Sequence, residues 1–411
     1  MAEGDGKTVL VTGGSGYLAG WCIIGLIERG YRVRTTVRNP ARERDVHAAV
    51  ESQVGTGHHL TVHAADLLSD EHWAHAIEGC DYVLHVASPF PEKQPKDPDE
   101  LIVPAREGTL RVLRESLDAG VKRVVITSSI AAVRLAPGAE ERPLTEEDWT
   151  DPDSPGLTPY VRSKTIAERA AWDLVEQRGE RDRLAVVNPG AIIGPVLNDD
   201  ISYSIQAIER LLKGMPGMPR LGFSFVDVRD VADLEIRAMT APEAGGQRFI
   251  AVTKFLWMAD TGEILRDRLG DGASKVPTRT VPNLVVRGMA LFDGGIRSVV
   301  GGLGKRTEVS SEKARSTLGW SPRPIEDTIA ECGQSLLVSI LRIADHAHVI
   351  LRLSVVRVDR NRLIQKIFSL GDLALPEIEN AKRDVDLGQV RVHLQRFFVI
   401  CYGFGTLVQI R

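Results

Sequence analysis

The chain has 411 residues, 43% hydrophobic and 26% charged, a globular balance that excludes a disordered or fibrous polypeptide and leaves room for two or three domain-sized units. Its 51 Lys and Arg stand against 55 Asp and Glu, a net charge of -4, and 5% of residues are aromatic. With no basic field for a phosphate backbone and few stacking platforms, nucleic acid is not an expected partner.

No stretch reaches about 18 uninterrupted apolar residues, and the polar, acidic residues 1–7 do not read as a signal peptide. No membrane association is expected, and the cytoplasm is the expected location. The cysteines Cys22, Cys80, Cys332 and Cys401 lie far apart with no C-x-x-C pair, so neither a disulfide framework nor a zinc knuckle is suggested. His72 and His75 would share one helical face, but no Cys or carboxylate pattern completes a metal site around them, and none is expected.

To about residue 190, short apolar runs alternate with longer amphipathic stretches, the pattern of βαβ units and a parallel α/β sheet. Strands are predicted at 8–11, 31–37, 60–64, 82–86, 123–127 and 184–187. Helices are predicted at 18–29, closed by Gly30, at 103–119, closed by Gly120, and at 159–177, closing near Gly179. Beyond Pro189 glycine and proline become frequent. A strand at 225–228, a helix at 230–239, a strand at 248–252 and a helix at 260–269 follow, then an apolar stretch at 281–292. A helix at 310–320 is stopped by Pro322 and Pro324. Residues 337–411 change character, dense in Leu, Val, Ile and Arg, and show no chemistry.

Val9-Leu-Val-Thr-Gly-Gly-Ser-Gly-Tyr-Leu-Ala19 places Gly14-x-Gly16-x-x-Ala19 between the first strand and the first helix, and Gly13 with Gly16 satisfies the wider G-x-x-G-x-x-A spacing. Small residues there let the backbone approach a pyrophosphate, whose charge meets free N–H groups and the positive helix end. Gly13, Gly14, Gly16, Tyr17 and Leu18 are therefore candidate cofactor contacts, against a glycine turn with no ligand. After the second strand a carboxylate would favour NAD and a cation would accommodate the 2′-phosphate of NADP. The chain has Arg38 there, which favours NADP(H) over NAD(H); a solvated surface arginine is the competing reading. Asp66 and Leu67 after the third strand, and Val86, Ala87 and Ser88 after the fourth, are placed beside the cofactor by topology, because ligands of open α/β sheets lie at the strands' carboxyl ends.

Tyr160 and Lys164 stand one helical turn apart on one face. A nearby ammonium would lower the phenol's ordinary pKa of about 10 and make it a usable proton shuttle. Ser129, ending the fifth strand in Ile126-Thr-Ser-Ser-Ile130, can donate to a substrate oxygen. Tyr-x-x-x-Lys alone is common on surface helices; joined to the glycine loop and the serine run, it places three elements on one edge of one sheet.

Thr12-Gly-Gly-Ser-Gly-Tyr-Leu-Ala19, Val37-Arg38, Glu107-Gly-Thr109, Thr127-Ser-Ser129, Tyr160-Val-Arg-Ser-Lys164, Asn188-Pro-Gly190 and Val226-Asp-Val-Arg-Asp230 together resemble the extended short-chain dehydrogenase/reductase superfamily. Within it the chain is most similar to the branch of dihydroflavonol 4-reductase and cinnamoyl-CoA reductase, with its bacterial aldehyde and ketone reductases. The resemblance covers about residues 6–336. It implies a Rossmann doubly wound parallel sheet for NADP(H) at 6–190, with 224–252 contributing, and a smaller C-terminal substrate lobe from 191–223 and 253–336. Residues 337–411 remain a tail of unknown role. It further implies a catalytic Ser129, Tyr160 and Lys164, with Pro189, Ala191 and Ile192 at the nicotinamide. The family often pairs through helices that here span 103–119 and 159–177, so a homodimer is an expected partner. Where plant flavonoid reductases carry a substrate-gripping asparagine, this chain reads Ile130-Ala-Ala-Val-Arg134, a departure from the flavonoid pattern.

The expected activity is hydride transfer between NADP(H) and a small-molecule carbonyl substrate, an apolar or aromatic aldehyde or ketone, with Tyr160 as acid and base. Two alternatives stay open at this point: an NAD-dependent nucleotide-sugar epimerase or dehydratase, against which Arg38 argues, and a non-catalytic NADP-binding sensor, which would have no need of Tyr160 and Lys164.

Overall fold

The computed structural model describes residues 3–89, 97–134, 142–198, 202–291 and 300–338. The expected tail lies outside the described residues from 339 onward. The strands, in chain order, are β1 (Thr8–Val11), β2 (Arg32–Val37), β3 (Leu60–Ala64), β4 (Tyr82–His85), β5 (Arg123–Thr127), β6 (Leu184–Pro189), β7 (Ala191–Ile193), β8 (Met218–Pro219), β9 (Gly222–Asp227), β10 (Gln247–Ala251), β11 (Lys254–Trp257) and β12 (Thr280–Val281). The helices that build the site are α1 (Tyr17–Glu28), α2 (Glu43–Val54), α3 (Trp73–Ile77), α4 (Asp99–Asp118), α5 (Pro159–Arg178), α6 (Tyr203–Lys213), α7 (Val228–Thr240) and α8 (Met258–Leu269).

Seven strands form one sheet in the order β10-β6-β5-β4-β1-β2-β3, with every neighbouring pair parallel. This is a Rossmann doubly wound sheet. Its central strands are covered on both faces, so they read as continuous apolar runs rather than alternating ones, and every residue of β6 is buried. On one face α1 packs against α7, with Cys22, Ile23, Leu26, Val231 and Leu234 in the core; on the other α4 packs against α5, around Trp73, Leu113 and Trp172. Each fully buried aliphatic side chain contributes about 1.5–3 kcal/mol of hydrophobic stabilisation. Strand order reverses direction between β1 and β4, and the crevice of such a sheet opens at that switch, at the strands' carboxyl ends.

The smaller lobe holds a three-stranded sheet, β11-β9-β7, and the short pair β12-β8. It is tied back through the end of β9: Asp227 accepts from Arg323 Nη1 at 3.0 Å and from the Thr328 hydroxyl at 2.9 Å, and Trp320 Nε1 donates to the Asp230 carbonyl at 2.8 Å. No helix among the described residues is long and apolar enough to cross a membrane.

Most elements lie within a residue or two of their predicted bounds, with two informative departures. Helix α4 begins at Asp99 rather than 103 and carries Pro104 inside it. Asp99 and Glu100 in the first turn suit the positive helix end, while Pro104, the sixth residue, withholds the one N–H that would reach back to the Glu100 carbonyl. His72 and His75 do not share a helical face: His72 sits before α3 in a left-handed conformation, φ 71°, and the His75 ring meets His63 instead, with centroids 5.4 Å apart.

Candidate functional site

The glycine loop leaves β1 through Thr12. Gly13 takes φ +76°, a left-handed conformation that side chains resist, and a Cβ at Gly14 would stand 2.3 Å from Thr35 Oγ1. The loop is pinned from β2: Gly13 N–H donates to Thr36 Oγ1 at 3.0 Å and Gly14 N–H to the Thr36 carbonyl at 2.8 Å. Gly16 is the N-cap of α1, offers no capping side chain, and no acidic residue lies in the first turn. The positive end of α1 is thus left for an external anion. Tyr17 and Leu18 open the helix and are buried, the Tyr17 hydroxyl lying beside Gly194.

Arg38 follows β2, is exposed, and makes no ion pair among the described residues, whereas Arg42 nearby is paired with Asp45 at 2.7 Å. Asp66 and Leu67 follow β3; Asp66 Oδ1 accepts from Leu68 N–H at 3.0 Å, and the Leu67 carbonyl accepts from Arg111. Past β4, Val86, Ala87 and Ser88 are partly exposed. Ala87 N–H donates to Thr12 Oγ1 at 3.0 Å, and that hydroxyl also meets His85 Nδ1 at 3.0 Å, which clamps the ends of β1 and β4 together. Burial and the charge of Lys164 push His85 down to about 3, so it stays neutral.

Ser129 stands just beyond β5 in extended backbone and accepts Ala131 N–H at 3.1 Å. Helix α5 starts with Thr158 as N-cap and Pro159 in its first turn, which fixes Tyr160 and Lys164 on one stripe. Tyr160 is hydrogen-bonded to Ser129, and burial raises its pKa against the lowering effect of that bond. Lys164 Nζ donates to the Thr127 carbonyl at 3.3 Å; burial pushes it down to about 8, opposed by Glu168 and Glu235. The structure therefore brings Ser129, Tyr160 and Lys164 together, but the lowering of Tyr160 expected from Lys164 is absent. The ammonium is engaged with Thr127 and balanced by carboxylates, so burial governs the phenol.

Pro189, the last residue of β6, is buried; beyond it Gly190 N–H donates to the Ala251 carbonyl at 3.0 Å, and Ala191 and Ile192 in β7 are partly exposed. Sequence reasoning missed the layer below. Glu168 accepts from Arg248 Nε at 2.6 Å, Asn188 Nδ2 at 2.8 Å and the Ser128 hydroxyl at 2.5 Å, joining α5 to β10, β6 and the end of β5. Glu235 on α7 accepts from the Thr127 hydroxyl. The available signal was periodicity: Glu168 is one turn past Lys164, and Glu235 falls on the apolar stripe of Val231 and Ala238.

The profile of the NAD dependent epimerase/dehydratase family matches residues 9–251. The chain belongs to this family. Cinnamoyl-CoA reductase CAD2 of Medicago truncatula is 36% identical over 338 residues, 80% of this chain and 96% of the relative. Cinnamoyl-CoA reductase 2 of Arabidopsis thaliana is 39% identical over 253 residues, 61% of this chain and 74% of the relative. Among solved structures, the fold is similar to that of yeast methylglyoxal/isovaleraldehyde reductase Gre2 complexed with NADPH, with a TM-score of 0.68 and 24% identity over 82% of this chain and 99% of that one. Membership lies in the dihydroflavonol and cinnamoyl-CoA reductase-like branch, and the protein is an NAD(P)-dependent oxidoreductase of the short-chain dehydrogenase/reductase type, a reductase of aldehydes or ketones in general terms.

Proposed function

We propose that the protein reduces an apolar or aromatic aldehyde or ketone to the alcohol, with NADPH preferred over NADH. The observation that carries this reading is the Tyr160 hydroxyl hydrogen-bonded to Ser129 at the carboxyl edge of a parallel sheet, with Lys164 one turn away.

The residues fit a dinucleotide: the loop is bare of side chains at Gly13, Gly14 and Gly16, and the end of α1 carries neither a capping side chain nor an acid. Because the Gly13 and Gly14 N–H groups are spent on Thr36, the first-turn N–H groups of α1, those of Tyr17 and Leu18, would hold the pyrophosphate over the bare glycine loop. Arg38 would meet the 2′-phosphate, Asp66 and Leu67 the adenine, and Val86, Ala87, Ser88, Pro189, Ala191 and Ile192 the nicotinamide side. When bound, the reduced nicotinamide supplies a hydride to the carbonyl carbon.

The chain's own residues manage the oxygen. Ser129 donates to it and holds it in register, and Tyr160 donates the proton that completes the alcohol. Because burial raises its pKa, Tyr160 is protonated at neutral pH, the state that reduction requires. Lys164, charged below about 8, anchors the end of β5 through the Thr127 carbonyl, one helical turn from Tyr160. In the reverse direction Tyr160 accepts the proton.

The substrate class rests on the chain that follows β6, where Ile192, Val196, Leu197 and Phe223 are partly buried apolar side chains. The relatives named for cinnamoyl-CoA act, by those names, on an aromatic acyl group. The test follows NADPH and NADH oxidation over aromatic and aliphatic aldehydes and ketones, with Tyr160→Phe in parallel. NADPH-dependent turnover should fall about 10²–10⁴-fold in the variant, with NADPH affinity within about twofold of wild type. Undiminished turnover in the variant would overturn the assignment.

A further inference from the structure

Two carboxylates act on Lys164, and they differ in what else neutralises them. Glu168, the stronger influence, is already paired with Arg248 Nε at 2.6 Å and bonded by Asn188 and Ser128. Glu235 is 0% exposed, and its hydrogen-bond donors are neutral: the Thr127 hydroxyl at Oε1 and the Cys22 thiol at Oε2, 3.4 Å away. Among the described residues, the one cation that acts on it is Lys164. Thr127, the last residue of β5, faces both groups. Its carbonyl accepts from Lys164 Nζ at 3.3 Å while its hydroxyl donates to Glu235.

We propose that Glu235 is a positioning residue for Lys164: working across Thr127, its buried carboxylate keeps the ammonium charged and directed at the end of β5. The coupling is a property of this chain alone; its consequence for turnover rests on the reduction proposed above.

An unpaired carboxylate in such an interior is strongly disfavoured, so the two charges stabilise each other. His85, Tyr160 and Cys22 do not titrate with the pair. Lys164 is also faced by Glu168 on α5 and by His85 on β4; Glu235 is also faced by Cys22 on α1. Burial holds His85 neutral, with its pKa at about 3, and pushes Tyr160 and Cys22 up; Glu168 is ion-paired with Arg248. Burial lifts Glu235 to about 7, against the two hydrogen bonds and Lys164, and it lowers Lys164 to about 8. Removing the carboxylate's charge therefore leaves burial less opposed at Lys164, which gives up its proton at lower pH.

The deciding experiment is competitive acetylation of the cofactor-free protein over a pH series, with the Lys164 peptide read by mass spectrometry, in wild type, Glu235→Gln and Thr127→Val. Glu235→Gln should move the Lys164 midpoint down by about one pH unit. Thr127→Val keeps the side-chain shape but removes the donor, which favours neutral Glu235, so its midpoint should move the same way; it also serves if Glu235→Gln does not fold. The basic limb of kcat/KM for carbonyl reduction should shift by the same amount, with the KM for NADPH within about twofold of wild type. Midpoints that coincide with wild type in the folded variants would overturn the proposal. A shifted midpoint in a protein that reduces no carbonyl would keep the coupling and reject the reductase reading instead.

Discussion

At the residue scale, what the sequence displayed and what it hid divide by distance along the chain. Tyr160 and Lys164 were legible because a helix places residues four apart on one face, whatever the rest of the fold does. The glycine loop was legible for the same reason: its meaning depends on the strand before it and the helix after it. Glu168 and Arg248 were not, since they are 80 positions apart and nothing in either neighbourhood names the other. Arg38 tests the local kind of reading. It is exposed and without an ion pair among the described residues, free to meet an added phosphate. Arg38→Ala should raise the KM for NADPH about tenfold or more, the worth of a charged hydrogen bond, and leave that for NADH within about twofold; equal effects on both cofactors would assign Arg38 a surface role. Lys164 supplies a pH dependence with a definite sign. Its proton is held below about 8 and lost above it, so kcat/KM for reduction should be level through neutral pH and fall as the pH passes about 8, in an initial-rate profile with saturating NADPH.

At the element scale, the site depends on how α5, β5, β6 and β10 are held in register. The buried Glu168 does this with three donors: Arg248 from β10, Asn188 from β6 and Ser128 just past β5. Arg248 reaches further, donating to the carbonyls of Glu146 at 2.8 Å and Asp148 at 3.0 Å, and it stacks over the Trp149 ring at 3.6 Å. The same group that anchors an edge strand therefore also fastens the segment leading toward α5. Arg248→Leu would strand a buried carboxylate beside two deprived carbonyls, and removing one partner of a buried pair costs about 3–5 kcal/mol. Denaturant unfolding followed by far-ultraviolet circular dichroism should show a loss in that range; a loss below about 1 kcal/mol would mean that the pair is solvated in solution. The misjudged start of α4 belongs to this scale. The predicted start at 103 leaves out a first turn that carries Asp99 and Glu100 at the positive helix end, with Pro104 inside the helix.

At the scale of the whole molecule, a parallel sheet follows from the alternation of apolar runs and amphipathic stretches, whereas the return of residues 224–252 to it comes only from the family resemblance. Strand β10 comes after the first pieces of the smaller lobe and still pairs with β6, in the register Gln247 with Ala185 through Ala251 with Pro189. Long-range contacts that sequence does not display accompany this pairing, among them Glu168, which accepts from Arg248 of β10 and Asn188 of β6, and the bonds of residues 320–328 to Asp227 and Asp230. Every described element falls within one unit, residues 1–342, and a relative is matched over 96% of its own length by 338 residues of this chain. The cofactor loop, the Ser129, Tyr160 and Lys164 cluster and the buried layer beneath them all lie inside that unit. A chain ended after Arg342 should therefore fold on its own, unfold in a single cooperative transition and bind NADPH with an affinity within about twofold of the full chain, since every residue expected at the dinucleotide site is kept. Tryptophan fluorescence under NADPH titration and a thermal melt of the two chains measure both quantities. Loss of binding or of the cooperative melt on truncation would show that residues 343–411 complete the reductase fold rather than follow it.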